Sequence, residues 1–251
     1  MSISKNKIKY IQSLKMKKKR DQYGVFVAEG EKCVEELILS CKCQYLAGLP
    51  DVINRIKSKA KAEEVVVATE KELQRASHFK TSSSVIGVFY KPEQSLDLNK
   101  INKGLHLVLD EIQDPGNMGT IIRLADWFGI ESIICSQNTV DIYNPKTVQA
   151  TMGAVARVPV IYTDLYSFLS KNKQLPVYGT FLEGKNIYEE NLSKDGLIIM
   201  GNEGKGISME VEEFITHKLL IPSFAPDNLR PESLNVAVAT AIVCSEFKRN
   251  S

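Results

Sequence analysis

Six strand-length runs recur between residues 105 and 223: LHLVLDE (105–111), SIICS (132–136), VPVIY (158–162), PVYGTF (176–181), LIIMGN (197–202) and KLLIPS (218–223). Several are continuously apolar, as strands covered on both faces tend to be, and parallel sheets are the ones so covered. Helical patterns fall between them. One begins near Asn117. Another is NPKTVQATMGAVAR, where Asn144 can cap and Pro145 takes the first helical position. The last is SLNVAVATAIVCSEFKR (233–249), with Ser233 as a candidate cap. This alternation specifies a wound α/β domain. Its final helix is apolar on most sides, so it is buried inside the domain or at a subunit interface.

The 251 residues, 43% of them hydrophobic, are enough for two domains. Ahead of the wound segment lies a smaller α/β or α+β region. Ile8, Ile11 and Leu14 form one apolar helical stripe among lysines, YGVFVAEG (23–30) reads as a strand and EKCVEELILS (31–40) as a helix. Strand-like CQYLAGLP and EEVVVATE flank a helical DVINRIKSKA, a helix EKELQRAS follows, and SSVIGVFYKP (83–92) is a final strand. The expected division is a first domain 1–92, a polar, aperiodic linker 93–104 and a second domain 105–251.

Charge is uneven. Eight of the 32 Lys and Arg residues, among them Lys17, Lys18, Lys19 and Arg20, lie in the first 20 residues, which hold no acid. Such a segment is either a solvated tail or a footprint for a polyanion. No apolar stretch approaches the roughly 20 residues of a membrane span, and no apolar core follows the first lysines as a secretory signal requires. Five scattered cysteines (Cys33, Cys41, Cys43, Cys135, Cys244) make neither a disulfide framework nor zinc-ligand spacing, which points to reduced thiols and a cytoplasmic protein. No metal is expected. His78, His106 and His217 match no ligand pattern, and DEIQD (110–114) reads as a strand end and turn.

The run LIIMGNEGKG (197–206) ends a strand in three glycines around one acid and one lysine. It lacks the Gly-x4-Gly-Lys-Ser/Thr spacing of a triphosphate loop and the G-x-G-x-x-G of a dinucleotide fold. What remains is a tight glycine turn at a strand's carboxyl end, where open α/β sheets bind ligands. Two other strand ends share this character. DPGNMGTIIRLADWFGI (114–130) leads into a helix on which Arg123 follows Asn117 by six residues amid Ile121, Ile122, Leu124 and Ala125; an arginine so near a buried face is costly unless paired. LIPSFAPDNLRPESLNVAVATA (220–241) runs through a Pro-rich loop into the last helix.

Together these three segments resemble the signature motifs of the SpoU (TrmH-type) RNA ribose 2′-O-methyltransferases: N-x-G-x-x-x-R, G-x-E-x-x-G and a third motif in LLIPS…ESLNVAVATAI. KKKRDQYGVFVAEGEKCVEELI is similar to the N-terminal substrate-binding domain that precedes the catalytic domain in many members. The resemblance implies a C-terminal parallel-sheet domain of SPOUT type with a trefoil knot, preceded by a small α/β RNA-binding domain. It further implies a homodimer that binds S-adenosyl-L-methionine and methylates RNA, ribosomal RNA before transfer RNA, with a non-catalytic RNA-binding factor as the alternative on the same fold.

Residue by residue, the motifs give Arg123, Asn117, Glu203, Ser233 and Asn235 as catalytic positions. Cofactor contacts fall on Thr180, Phe181, Leu182, Glu183, Gly201, Asn202, Gly206, Ile221, Ser233 and Leu234, and RNA contacts on Lys17, Lys18, Lys19 and Arg20. A ribose hydroxyl is a weak nucleophile, and arginine is a poor base, so Arg123 is expected to orient the hydroxyl and a neighbouring phosphate and to stabilise developing oxyanion charge. Asn117 and Glu203 are expected to fix Arg123 or the ribose, while Ser233 and Asn235 shape the cofactor and substrate loop. Helix capping is the plainer role for Asn117 and Ser233. The third motif departs from the family's usual Ile-Pro-Met, reading Ile-Pro-Ser-Phe here.

Overall fold

The computed structural model describes residues 2–81, 83–93, 101, 103–225 and 233–249. The greater part of the expected linker 93–104 therefore lies outside the described residues. The chain divides into two compact units, residues 1–93 with 141–157, and residues 94–140 with 158–251.

The first unit is built on a four-stranded sheet. Strands β1 (Val25–Glu29), β2 (Cys43–Gly48), β3 (Glu64–Val67) and β4 (Val85–Tyr90) lie in the order β1-β4-β2-β3. β4 is antiparallel to both neighbours and β2 is parallel to β3. The basic leader forms two helices, α1 (Lys5–Ser13) and α2 (Lys17–Tyr23), with extended Met16 between them and Gly24, at φ 64°, ending the second. Ile8, Ile11 and Leu14 are buried together with Val25, Tyr45 and Val88, as the apolar stripe predicts. Helices α3 (Glu31–Ser40), α4 (Pro50–Ala60) and α5 (Glu70–Ala76) complete the alternation. Thr69 and Glu72 close a capping box at the start of α5.

Residues 141–157, expected within the second domain, belong to this first unit by contact. Their helix α7 (Pro145–Thr151) is capped by Asn144 as anticipated and packs on β1. The Tyr143 ring sits 4.9 Å from that of Phe26, and the Cys33 thiol donates to the Val148 carbonyl at 3.7 Å. α7 stops well short of Arg157 because Met152 and Gly153 take φ of 50° and 93°. A Cβ on Gly153 would collide with the Glu36 side chain, so close approach and backbone conformation both favour glycine there.

The second unit carries a six-stranded, wholly parallel sheet. Strands β5 (Leu105–Leu109), β6 (Ser132–Cys135), β7 (Val160–Tyr162), β8 (Val177–Asn186), β9 (Gly196–Met200) and β10 (His217–Leu220) lie in the order β10-β8-β9-β5-β6-β7. Every residue of β5, β6 and β9 is buried, which accounts for their apolar runs. Helices α6 (Pro115–Trp127), α8 (Leu165–Lys171), α9 (Met209–Glu212) and α10 (Val236–Arg249) cover the sheet, and α10 packs on α6. α6 starts earlier than expected, with Asp114 as cap and Pro115 at the first position. α10 starts at Val236, three residues later than expected. Among the described residues no helix is long and apolar enough to cross a membrane.

Candidate active site

The carboxyl ends of β8, β9 and β10 open into one pocket of about 760 Å³. β8 contributes through an interruption of its ladder. Pairing with β10 jumps from Lys218↔Gly179 to Leu219↔Lys185, so residues 180–184 leave the sheet and bulge into a wall. Thr180, Phe181 and Leu182 line the pocket there, whereas Glu183 is exposed and does not.

β9 contributes the glycine turn. Asn202 and Gly206 exchange backbone hydrogen bonds of 2.9 Å in both directions, closing residues 202–206 into a loop. The Asn202 side chain pins that loop twice over. Its Oδ1 accepts from the Gly204 and Lys205 amides at 3.0 Å, and its Nδ2 donates to the Glu111 carbonyl at 2.8 Å. Gly206 sits at φ 73°. A Cβ on Gly201 would overlap the Gly206 carbonyl carbon and the Ile207 amide, so the turn closes only without a side chain at that position. β10 supplies Leu220, Ile221, Pro222 and Ser223, and the entry to α10 supplies Ser233, Leu234, Asn235 and Val236.

A hydrogen-bonded chain through Asn117 joins two residues of this pocket's lining, Glu203 and Asn235. Glu203 accepts from the Asn117 Nδ2 at 3.1 Å and from the amides of Asp114 and Gln113 at 3.2 and 3.3 Å. Asn117 Oδ1 in turn accepts from Asn235 Nδ2 at 2.9 Å. Burial pushes the Glu203 carboxyl up, but the Asn117 side chain and the surrounding backbone amides outweigh it and hold the group below the usual carboxylate range. Glu203 is thus an ionised acceptor that ties the glycine turn to the start of α6 and, through Asn117, to α10.

Capping roles follow from these bonds. Asp114, not Asn117, caps α6, at 2.8 Å to the Asn117 amide, which leaves the Asn117 side chain for Glu203 and Asn235. Asn235, not Ser233, caps α10: its Oδ1 accepts from the Ala237 and Val238 amides at 2.9 and 3.3 Å. Asn117 and Glu203 hold each other and Asn235 and make no bond to Arg123.

Arg123 lies elsewhere on α6. Six residues at 100° each turn it about 120° from Asn117 and carry it about 9 Å along the axis. The buried stripe is Met118, Ile121, Ile122 and Ala125, and Arg123 falls outside it, exposed, with no hydrogen-bond or ion-pair partner among the described residues. The arginine expected close to a buried face is therefore an exposed one, on the same open face as Thr120 and the 84% exposed Trp127.

Arg20 is displaced in the opposite sense. Expected as an RNA contact, it is only 2% exposed. One guanidinium nitrogen donates to the Leu14 and Lys15 carbonyls at 2.8 and 2.7 Å, and the other meets the Asp141 carboxylate at 2.5 Å. It fastens the turn between α1 and α2 and cannot reach a solvent phosphate. Lys17 and Lys18 are exposed; Lys19 is half-buried and bonds Gln22 at 2.9 Å.

The pocket also uses residues that the motifs did not indicate. Met200 and Leu220 end their strands facing it, and Lys205 and Glu212 border it. Glu212 pairs with Lys218 at 2.5 Å, and that ammonium lies 4.6 Å above the Phe181 ring. Nothing in the sequence separates Glu212 from its acidic neighbours on α9. The histidines play structural parts: His106 is buried between Ser132 and the Lys103 carbonyl, His78 accompanies buried Glu29, and His217 stacks on Tyr178.

Comparison with known proteins agrees with this geometry. Residues 104–245 match the model of the SpoU rRNA Methylase family, and residues 5–87 match the MRM3-like substrate binding domain. The 23S rRNA (guanosine(2553)-2′-O)-methyltransferase RlmP of Bacillus subtilis is 30% identical over 96% of both chains. A TrmH-family structure from Porphyromonas gingivalis superposes with a TM-score of 0.85 at 38% identity, covering 99% of each chain. An AdoMet-bound rRNA methyltransferase from Sinorhizobium meliloti gives 0.85 at 29% identity over 100% of this chain and 98% of that one. With its two family models in order along the chain and Gly201, Glu203, Gly206, Ser233 and Asn235 gathered at one pocket, the protein belongs to the SpoU rRNA methylase family.

Proposed function

We propose that this enzyme transfers a methyl group from S-adenosylmethionine to a ribose 2′-hydroxyl of ribosomal RNA. The observation that carries the reading is the meeting of three strand-end loops in one pocket, where Asn117 links the lining residues Glu203 and Asn235. The pocket suits the cofactor. Gly201 and the pinned turn present bare backbone, and Met200, Leu220, Ile221, Leu234 and Val236 offer apolar contact to an adenosine. The glycine turn lacks the Gly-x4-Gly-Lys-Ser/Thr spacing of a triphosphate loop. When bound, the cofactor supplies an activated methyl, and the protein's task is to bring the hydroxyl into line and support the charge it develops. Thr180, Phe181, Leu182, Gly201, Asn202, Gly206, Ile221, Ser233 and Leu234 hold the donor; Glu183 is left out.

Arg123 needs a route to the acceptor, and a second copy of the chain provides one. Arg123 shares its exposed face of α6 with Trp127, while Val238 on α10 and Leu234 just before it are 50% and 47% exposed. Pairing these surfaces forms a homodimer in which Arg123 of one protomer serves the pocket of its partner. The RNA enters over the basic leader, with Lys17, Lys18 and Lys19 as phosphate contacts. Five buried free thiols fit a cytoplasmic setting.

The test is methyl transfer from labelled cofactor to ribosomal and transfer RNA transcribed in vitro. Ribose-methylated nucleotides in the ribosomal pool support the reading, and no ribose methyl in either pool ends it. Mixing inactive Arg123→Ala with inactive Glu203→Ala tests the shared site. Random exchange regenerates one intact site in half of the dimers, or about a quarter of wild-type activity. No recovery means that Arg123 and Glu203 of the same protomer serve one site.

A further inference from the structure

We propose that Lys205 is the anion-holding side chain of the acceptor subsite and takes a backbone phosphate beside the ribose to be methylated. This rests on the ribose-methylation reading above and adds a substrate contact to it. Three charged residues border the pocket among the described residues: Glu203, Glu212 and Lys205. Glu203 is occupied by Asn117 and two backbone amides, and Glu212 by Lys218. The Lys205 side chain has no partner among the described residues and is exposed.

Its backbone, by contrast, is fixed. The Lys205 amide donates to Asn202 Oδ1, and the Asn202–Gly206 bridge closes the turn on either side. The result is a long arm with a compact charge on a rigid base, at the rim of a pocket where Glu212 already has Lys218 and the Glu203 carboxylate is tied down by Asn117 and two backbone amides. Lysine serves phosphate in this way, as a point charge needing no planar match. A pocket that holds a sulfonium gains nothing from an unpaired ammonium nearby, since like charges repel. A phosphate at the rim would give this ammonium the partner the fold leaves it without, and an RNA acceptor brings one on each side of every ribose.

The experiment compares full-length wild type with Lys205→Ala and Lys205→Arg. Cofactor affinity is measured by calorimetry with S-adenosylmethionine alone. Equilibrium binding of in-vitro transcribed 23S ribosomal RNA is followed from low to high KCl, and methyl transfer supplies KM and kcat. Loss of one phosphate contact weakens RNA binding by about five- to tenfold at low salt and flattens the log–log salt slope by about 0.7 to 1. KM for RNA rises by the same factor, kcat stays within about twofold, cofactor affinity is unchanged, and arginine restores binding. Equal loss of cofactor affinity assigns the ammonium to the donor and overturns the proposal, as does an unchanged RNA affinity and slope. The binding arm decides Lys205 whether or not wild type methylates ribose, so the two readings fail separately.

Discussion

Two helices of this protein each carry one arginine that matters, and they treat it in opposite ways. On α2, Arg20 ends a run of lysines and is folded inward, with two carbonyls and the Asp141 carboxylate around it. On α6, Arg123 stands among isoleucines and is turned outward, unpaired among the described residues. Neighbouring letters suggest the reverse. What decides is angular position: Met118, Ile121, Ile122 and Ala125 share one side of α6, and Arg123 lies off it. A guanidinium already saturated by its own chain belongs to the architecture, whereas one held out on an ordered helix with nothing to bind is free for a substrate.

The sharpest way to break this contrast is to remove both arginine functions separately. Arg123→Ala is expected to lower kcat/KM for RNA by about 10²- to 10³-fold, the usual loss for one electrostatic donor to a developing oxyanion. Its Tm and cofactor affinity should match wild type, because nothing described in the fold leans on that side chain. A matching fall in Tm would make Arg123 structural and erase the contrast. Asp141→Ala attacks the other arginine. It leaves Arg20 buried with its carboxylate gone, at a cost of about 3 kcal/mol, and lowers Tm by roughly 6–12 °C for a chain this size. Cofactor binding in the other unit should persist below the new Tm. An unshifted Tm would mean that the Leu14 and Lys15 carbonyls satisfy Arg20 on their own.

The contrast also marks what the amino-acid order discloses. Strands and the major helices were legible because their apolar periods are strong: Glu31–Ser40 forms a helix with the expected bounds, and Ile8, Ile11 and Leu14 fill the core as a stripe should. The glycine turn was legible because few loops need Gly201, Gly204 and Gly206 so close together. Contacts distant in sequence were hidden. No period announces that Asp141 pairs with a residue 121 positions earlier, that residues 141–157 pack on the first unit, or that Asn235 caps α10 while bonding Asn117. The ladder jump that turns Thr180, Phe181 and Leu182 into a pocket wall was equally hidden, since register with β10 is a tertiary fact.

A smaller effect sharpens the division of labour on α2. Replacing Lys17, Lys18 and Lys19 by glutamine should leave Tm within about 1–2 °C, as Lys17 and Lys18 are exposed and the half-buried Lys19 bonds a neutral surface partner, Gln22. It should flatten the salt dependence of RNA binding by up to about 0.9 per phosphate lost. Arg20→Gln should do the opposite, lowering Tm while leaving the salt slope of the remaining folded protein unchanged. If the triple variant keeps the wild-type slope, the lysines are a solvated face and RNA approaches elsewhere.

The smallest expected effect concerns Glu203, the acid of the glycine turn, and follows from the sign of its shift. Hydrogen bonds from Asn117, Asp114 and Gln113 favour the charged form, so the folded protein holds its pKa below the unfolded value of about 4.3. A carboxyl depressed on folding contributes stability that is fully present above the unfolded pKa and is lost as the pH falls through the folded one. Wild type should therefore exceed Glu203→Gln in urea stability by a constant margin from pH 8 down to about pH 5, and the margin should narrow below about pH 4.3 as the carboxylate takes up its proton. Comparing the two proteins at each pH cancels every other titrating group. A margin that widens on acidification would mean that burial, not hydrogen bonding, governs this acid. Glu203 would then favour its proton, and the link it forms between the turn and Asn117 would be held by a neutral carboxyl instead of by charge.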